Sequence, residues 1–266
     1  MDFAISGDGT RIAFDKVGNG PVLIIVGGAA SYRALDPTTS TLAELLAPNF
    51  SVVTYDRRGR GESTDALPYA PEREIEDIAA LVDLAGGRAS LVGYSSGAVL
   101  ALEAAAAGLP IDAVVMYEPP IVLPGGDFPP PPDDVVAVID QLVAAGDRDE
   151  AVAYFMGTVG TPPEEVERMR QGPNWPLLER IAHTMAYDWR ILFKAYYAED
   201  RFPEDWSQTT VPVLIVNGDA SLPFMPATAD AIAAALPGAD RLVLPGQGHS
   251  PAPEVIAPAI RDFLLP

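Results

Sequence analysis

Short, almost purely apolar runs recur along the chain. The four clearest runs cover residues 22–26, 51–55, 113–117 and 211–216. Continuous apolar runs of this length are typical of parallel strands that helices cover on both faces. An amphipathic stretch at residues 71–85 starts with a proline and ends before two glycines, so it predicts a helix. The alternation of strands and helices predicts an α/β protein with a doubly wound, mostly parallel sheet.

The same pattern predicts an added hairpin and an insertion. The opening residues surround a turn at Gly7-Asp8-Gly9, which predicts an antiparallel hairpin at one edge of the sheet. After Tyr117 the alternation stops, and a proline cluster at 129–132 cannot lie inside a helix or a central strand. Helices are predicted beyond it at residues 134–145, 163–171 and 177–198. We therefore expect an α/β core of residues 1–118 and 209–266, with residues 119–208 inserted as a helical cap.

The strongly negative net charge of the chain excludes some classes of binding partner. It has 17 Lys and Arg residues against 37 Asp and Glu, a formal charge of −20 and a pI of about 4.2. This charge excludes a nucleic-acid partner bound through phosphate contacts and disfavours anionic membranes. The chain is 48% hydrophobic, but no apolar run reaches the roughly 18 residues of a membrane span. We expect a cytoplasmic protein, and the sequence leaves open whether it is a homo-oligomer.

Cysteine and histidine are scarce. The absence of Cys excludes disulfides, thiolate metal sites and a Cys nucleophile. The two histidines, His183 and His249, speak against a metal centre with several His ligands. We therefore expect no metal and no cofactor. His183 lies in the predicted cap, where we interpret it as a packing residue or a substrate contact.

A serine stands in a motif with a known local geometry. Ser95 lies in the sequence Gly93-Tyr94-Ser95-Ser96-Gly97, between an apolar run at 89–92 and an alanine-rich run at 98–107. This is G-x-S-x-G in the strand-turn-helix context that presents a nucleophilic serine. The glycines allow a tight turn, and the following helix directs its N-terminal amides at developing negative charge. A tight turn without a catalytic serine is the alternative interpretation.

Further stretches match the pattern of one superfamily in chain order. They are Gly27-Gly28-Ala29, residues 56–63 with the pattern D-x-R-G-x-G-x-S, and Gly246-Gln247-Gly248-His249. Together with the elbow at Ser95, they resemble the α/β-hydrolase superfamily over nearly the whole chain. The resemblance implies that His249 is the general base, that the amides of Ala29 and Ser96 form an oxyanion hole, and that loop 56–63 is structural. Gly27 departs from the superfamily, which usually has His at that position.

The third member of the expected triad has two candidates. The superfamily's usual acid ends a G-x-x-D turn, but here the turn is Gly218-Asp219-Ala220-Ser221, with Asp219 two positions early. The other known location is the end of the preceding core strand, where Glu118 stands. The elbow, the sequence Tyr117-Glu118-Pro119 and the missing His resemble the zearalenone-type lactone hydrolases, which use Glu at this place. We favour Glu118 as the acid that orients the imidazole, with Asp219 as the alternative.

These features predict a cofactor-independent serine hydrolase that cleaves a carboxylic ester or lactone through an acyl-enzyme on Ser95. The acidic chain and the aromatic residues of the cap predict a neutral, rather apolar small-molecule substrate. The same residues are compatible with C–C bond hydrolysis, with cofactor-free lyase or oxygenase chemistry, and with a non-catalytic ligand-binding protein. The residues that we expect to contact the substrate are Gly28, Tyr94, Trp175 and Trp189.

Overall fold

The computed structural model describes residues 2–125, 128–196 and 202–265. The strands in this part of the chain are β1 (Asp2–Ile5), β2 (Arg11–Val17), β3 (Val22–Val26), β4 (Ser51–Tyr55), β5 (Ala89–Tyr94), β6 (Ile111–Tyr117), β7 (Val213–Gly218) and β8 (Asp240–Leu244). They form one sheet in the order β1-β2-β4-β3-β5-β6-β7-β8. Strand β2 is antiparallel to β1 and β4, and the other neighbours are parallel. The fold class and the antiparallel edge hairpin are confirmed.

Helices cover both faces of the sheet, as the apolar strands require. In β3, Ile24 and Val26 belong to one apolar core and Leu23 and Ile25 to the other, because successive side chains point to opposite faces. The first core includes residues of α2 (Pro71–Leu84), α3 (Ser96–Ala106) and α10 (Met225–Ala235). The second includes residues of α1 (Pro37–Leu46) and α11 (Pro253–Leu264). The helix predicted at residues 71–85 is therefore confirmed.

Further helices occupy the chain between β6 and β7. They are α4 (Val135–Ala145), α5 (Arg148–Thr158), α6 (Pro163–Arg170), α7 (Trp175–Arg180), α8 (Met185–Tyr196) and α9 (Glu204–Ser207). The prediction of one continuous helix from residue 177 is wrong, because a 3-10 turn at Ala182–Thr184 separates α7 from α8. There the Thr184 hydroxyl donates to the Ile181 carbonyl at 2.8 Å, a local bond that competes with regular helix. The last two residues of that predicted helix, 197 and 198, lie outside the described residues. Helix α5 lies outside the helices that the sequence predicts.

Helix α8 joins this inserted stretch to the core by packing on α2 and α3. The Tyr187 hydroxyl donates to Asp65 Oδ2 at 2.8 Å, and Lys194 Nζ lies 3.0 Å from Glu103 Oε2 of α3. From α9, Trp206 Nε1 donates to Glu103 Oε1 at 2.6 Å. Polar contacts with the core thus hold α8 in place. The limits of the expected cap, residues 119 and 208, stay a prediction.

Neither a membrane-spanning helix nor a cluster of metal-ligating side chains occurs in the described part of the chain. No helix in those ranges combines the length and the apolar character needed to cross a bilayer. In the same ranges, no three His, Asp or Glu side chains lie together in a way that could hold a metal ion.

Candidate active site

Ser95 occupies the turn between β5 and α3 in a strained conformation. Its φ of 54° and ψ of −124° lie outside the regions that non-glycine residues commonly adopt. Its backbone N–H donates to the Tyr117 carbonyl oxygen of the neighbouring strand at 2.9 Å. Among the described residues, the other non-glycine positions with positive φ are Ala30 (53°) and Glu118 (47°), which follow β3 and β6. Backbone strain is therefore concentrated at the carboxyl ends of three adjacent central strands, as is typical of functional sites.

Two glycines make the turn at Ser95 possible. A Cβ on Gly93 would lie 2.3 Å from the Gly97 carbonyl oxygen, and a Cβ on Gly97 would lie 2.4 Å from the Val26 carbonyl oxygen. Both contacts are with backbone atoms, which cannot move without displacing the start of α3 or the end of β3. The spacing of the motif thus follows from the close packing of three elements.

We expect Gly93→Ala to destabilise the protein by about 3 kcal/mol, because the added methyl group overlaps the backbone of the turn. Gly157→Ala in α5 is the matched control, since a Cβ there would meet no described atom within 4 Å. The control should leave the free energy of unfolding unchanged or raise it by about 0.5 kcal/mol. Urea unfolding followed by circular dichroism measures both variants. Wild-type stability of Gly93→Ala would contradict the packing described for the turn.

A buried carboxylate holds the ring of His249. The Nδ1 atom lies 2.7 Å from Glu118 Oε2, and the side chain of His249 is 42% exposed whereas that of Glu118 is 0% exposed. The Glu118 carboxylate also accepts the Gly218 N–H at 2.9 Å and the Ser221 hydroxyl at 2.6 Å. An ionised carboxylate only accepts hydrogen bonds, so Nδ1 carries the proton in this pair. The other ring nitrogen, Nε2, is then able to accept a proton.

The structure separates the two candidate acids. Asp219 Oδ1 accepts the Gly246 N–H at 2.6 Å, so this carboxylate binds the backbone of the loop that precedes His249. Ser221 stands where the superfamily usually has Asp, and its hydroxyl donates to Glu118 instead. Of Glu118 and Asp219, Glu118 is the one in contact with the imidazole.

The loop after β3 passes directly against the turn at Ser95. A Cβ on Gly28 would lie 3.0 Å from the Tyr94 carbonyl oxygen and 3.1 Å from Ser95 Cβ. Ala29 follows in this loop, and Ser96 begins α3. Gly28, Ala29 and Ser96 all line the cavity that Ser95 lines. The structure therefore brings both expected oxyanion-hole residues beside the serine.

The cavity above Ser95 and His249 has a volume of about 570 Å³. Its wall is mainly apolar, with Phe155 and Trp189 from the inserted helices and Phe224 from the core. No Lys or Arg within the described ranges lines it, and its acidic residues are Asp36 and Asp188. A cavity of this size and polarity suits a small organic molecule. Gly28, Tyr94 and Trp189, three of the four residues that we expect to contact the substrate, line it.

Trp175, the remaining residue that we expect to contact the substrate, is not part of this cavity wall. Its ring is 3% exposed, and its Nε1 donates to Asp149 Oδ1 of α5 at 2.7 Å. The ring therefore holds α7 against α5. His183 also lies outside the cavity wall, with its Nε2 3.5 Å from Asp65 Oδ2, which fits its interpretation as a packing residue.

A buried group of charges, which the sequence did not reveal, includes Asp188 of the cavity wall. In loop 56–63, Arg57 Nε and Nη2 donate to the two oxygens of Glu74 at 2.6 and 2.8 Å. Arg57 Nη1 and Arg60 Nη2 donate to the two oxygens of Asp188 on α8 at 2.7 and 2.6 Å. Asp188 was not among the predicted site residues, and the only signal for it in the sequence is an acidic residue in the largely apolar stretch 185–196.

The fold and this arrangement together define a class of protein. A serine at a strained strand-turn-helix elbow and a His after the last strand, held by a buried carboxylate, are typical of hydrolases with a doubly wound sheet. The chain belongs to the alpha/beta hydrolase family, whose model matches residues 22–259.

Known proteins resemble the chain over most of its length. An alpha/beta hydrolase from Sphaerobacter thermophilus DSM 20745, known from its crystal structure, is 44% identical with a TM-score of 0.89, over 99% of this chain and 100% of that one. The 2-(acetamidomethylene)succinate hydrolase of Mesorhizobium japonicum is 26% identical over 258 residues, 93% of this chain and 89% of that protein. The enol-lactonase from Burkholderia xenovorans LB400 shares the fold, with a TM-score of 0.73 at 22% identity over 99% of each chain.

Proposed function

We propose that the protein is a serine hydrolase that cleaves a carboxylic ester or lactone of a neutral, apolar small molecule. The observation that carries the proposal is the meeting, at one cavity, of Ser95 on a strained turn and a His249 ring held by Glu118. In this proposal Ser95 is the nucleophile, His249 is the general base and Glu118 orients the imidazole. The reaction needs only these side chains, two backbone amides and water.

The proposed reaction passes through an acyl-enzyme. Ser95 Oγ attacks the substrate's carbonyl carbon while His249 Nε2 takes the serine proton. The carbonyl oxygen becomes an oxyanion, to which the amides of Ala29 and Ser96 donate hydrogen bonds. The bond to the alcohol oxygen then breaks, and His249 gives its proton to that oxygen. Water, deprotonated by His249, attacks the ester on Ser95, and the carboxylic acid leaves as the serine is restored.

We infer that residues 119–208 act as a cap that shapes the substrate side of the cavity. Phe155 of α5 and Trp189 of α8 line the same cavity as the core residues Gly28 and Tyr94. An apolar group of the substrate would lie between these two sets of residues, because burial of apolar surface is the main source of affinity in such a cavity.

The cavity wall supports an uncharged substrate. It contains the carboxylates of Asp36 and Asp188, and no cationic side chain among the described residues lines it. The relative from Mesorhizobium japonicum is named for a substituted succinate, a dicarboxylate, but it is only 26% identical. No cationic side chain among the described residues of the cavity wall would compensate the loss of water from a substrate carboxylate. The likeness to zearalenone-type lactone hydrolases supports a lactone alongside an ester.

We expect kcat/KM for 4-nitrophenyl hexanoate to exceed that for mono-4-nitrophenyl adipate by about 100-fold, because the second ester places a carboxylate in the apolar cavity. Release of nitrophenolate near neutral pH measures both. Adding a δ-lactone and a β-diketone to the panel distinguishes ester and lactone hydrolysis from C–C cleavage. Equal rates for the two nitrophenyl esters would contradict the neutral-substrate proposal, and turnover of the β-diketone alone would contradict ester hydrolysis.

A further inference from the structure

The carboxylate of Asp188 joins three elements around the proposed oxyanion hole. Asp188 lies on α8 and is 1% exposed. Its Oδ1 accepts the Ser96 hydroxyl and Arg57 Nη1, both at 2.7 Å, and its Oδ2 accepts Arg60 Nη2 at 2.6 Å. A residue of the inserted helices is therefore hydrogen-bonded both to the start of α3 and to loop 56–63.

Arg60 hydrogen-bonds both to Asp188 and to the loop after β3. Its Nη1 donates to the Gly28 carbonyl oxygen at 2.7 Å and to the Ser31 carbonyl oxygen at 3.3 Å. The Gly28 C=O and the Ala29 N–H belong to one planar trans peptide, in which they point in opposite directions. A bond that fixes the carbonyl of Gly28 therefore also fixes the direction of the Ala29 N–H, the first proposed oxyanion donor.

Ser96 connects the same carboxylate to the second donor. Ser96 is the first residue of α3, and its hydroxyl donates to Asp188 while its own backbone N–H is the proposed donor. The hydroxyl bond restrains the residue that carries this N–H. Both oxyanion donors are thus oriented through Asp188, one through Arg60 and one through the Ser96 side chain.

The charges around Asp188 allow a carboxylate to lie this close to a developing oxyanion. Arg57 and Arg60 balance Asp188 and Glu74, so these four buried groups carry no net formal charge. Burial opposes ionisation of Asp188, but the guanidinium groups of Arg60 and Arg57 and the Ser96 hydroxyl outweigh it and hold the pKa of its carboxyl below the usual range. Asp188 therefore accepts hydrogen bonds as an anion without adding net repulsion at the oxyanion hole.

We propose that Asp188 is a positioning residue for the oxyanion hole, through which helix α8 of the inserted stretch sets the direction of the Ala29 and Ser96 amides. This inference rests on the proposed serine hydrolase function. It assigns the three buried residues Arg57, Arg60 and Asp188 to transition-state stabilisation, because a donor that points away from the oxyanion cannot stabilise it.

The test compares binding with catalysis in Asp188→Asn. With 4-nitrophenyl hexanoate, kcat should fall about 10- to 100-fold, while KM changes by less than about threefold. The fall in kcat is smaller than the 10²- to 10³-fold typical of a lost oxyanion donor, because both donors are still present. The rate of phosphonylation of Ser95 by a fluorophosphonate should fall by a similar factor, because the phosphonyl oxygen occupies the same hole. A loss confined to stability would leave both rates of the folded protein unchanged.

Two further variants keep the result interpretable. Ser96→Ala removes one hydrogen bond to Asp188 and retains the backbone N–H of residue 96. It should therefore lower kcat and the phosphonylation rate about 3- to 10-fold. If Asp188→Asn does not fold, this variant decides the test. Asp65→Asn is the matched control, because Asp65 accepts a hydrogen bond from Tyr187 of α8 and an asparagine oxygen accepts the same bond. The hydrogen bonds of the described residues that carry the inference do not include Asp65, so the rates of this variant should equal those of the wild type.

Three results would overturn the inference. Wild-type rates in folded Asp188→Asn and Ser96→Ala would do so while leaving the proposed function intact, provided that the wild type is phosphonylated. A raised KM with unchanged kcat would assign Asp188 to substrate binding instead. A wild type that the fluorophosphonate does not modify would overturn this inference together with the proposed function.

Discussion

Ser95→Ala is expected to lower kcat for 4-nitrophenyl hexanoate by a factor on the order of 10⁵ to 10⁶, as losing the nucleophile does in serine hydrolases. The reason is that Oγ forms the bond to the acyl group, and the remaining amides can stabilise only the attack of water. The small methyl side chain fits wherever Ser95 fits, so the turn with φ 54° is retained. Steady-state kinetics on the folded variant measure the effect.

A matched control excludes contaminating esterase and general effects of serine replacement. Ser207 lies on α9, and its exposed hydroxyl donates to the Glu204 carbonyl oxygen at 2.6 Å, outside the cavity wall. Ser207→Ala should have wild-type kcat and KM. If Ser95→Ala retained more than about one per cent of the wild-type kcat, Ser95 would not be the nucleophile.

Glu118→Gln is expected to lower kcat about 10⁴-fold, because the amide favours the wrong tautomer of His249. Glu118 Oε1 accepts the Gly218 N–H, so a glutamine that keeps this bond directs its NH₂ group at Ser221 and His249. Nδ1 must then accept a hydrogen bond, and the ring proton moves to Nε2. A ring protonated at Nε2 cannot take the proton of Ser95.

Asp219→Asn is the matched control, since Asp219 is the other candidate for the triad acid. Its oxygen accepts the Gly246 N–H, and an asparagine oxygen accepts the same bond. We expect kcat to change by no more than about fivefold. Steady-state kinetics of both variants distinguish the two carboxylates. A large loss in Asp219→Asn with a small loss in Glu118→Gln would assign the acid to Asp219.

The sequence predicted most of the core because its strands are buried on both faces. Continuous apolar runs located β3 and β4 at the residues where the structure has them. The inserted stretch was harder, because its helices are short and pack on one another as much as on the core. The 3-10 turn at Ala182–Thr184 depends on a local bond of Thr184, which carries no periodic signal.

The site was predictable where a motif fixes local geometry and not where partners come from distant parts of the chain. Ser95 and His249 were identified from their flanking glycines and strands. The hydrogen bond from Ser221 to Glu118 joins residues far apart in the sequence, and the pattern showed only that Ser221 replaces an expected Asp. No sequence motif identifies Asp188, because its partners Arg57 and Arg60 lie in a distant loop of the chain. Composition also does not say which side of a helix faces a cavity, so the sequence could not show that Trp175 lies outside the cavity wall.

The most direct test of the account is whether the protein contains an activated serine at position 95. The measurement is the intact mass of the purified protein after incubation with a fluorophosphonate, followed by peptide mapping of the adduct. The account predicts one phosphonyl group per chain on Ser95, formed by the wild type and Ser207→Ala and absent in Ser95→Ala. A folded wild type that stays unmodified, or an adduct on another residue, would contradict it.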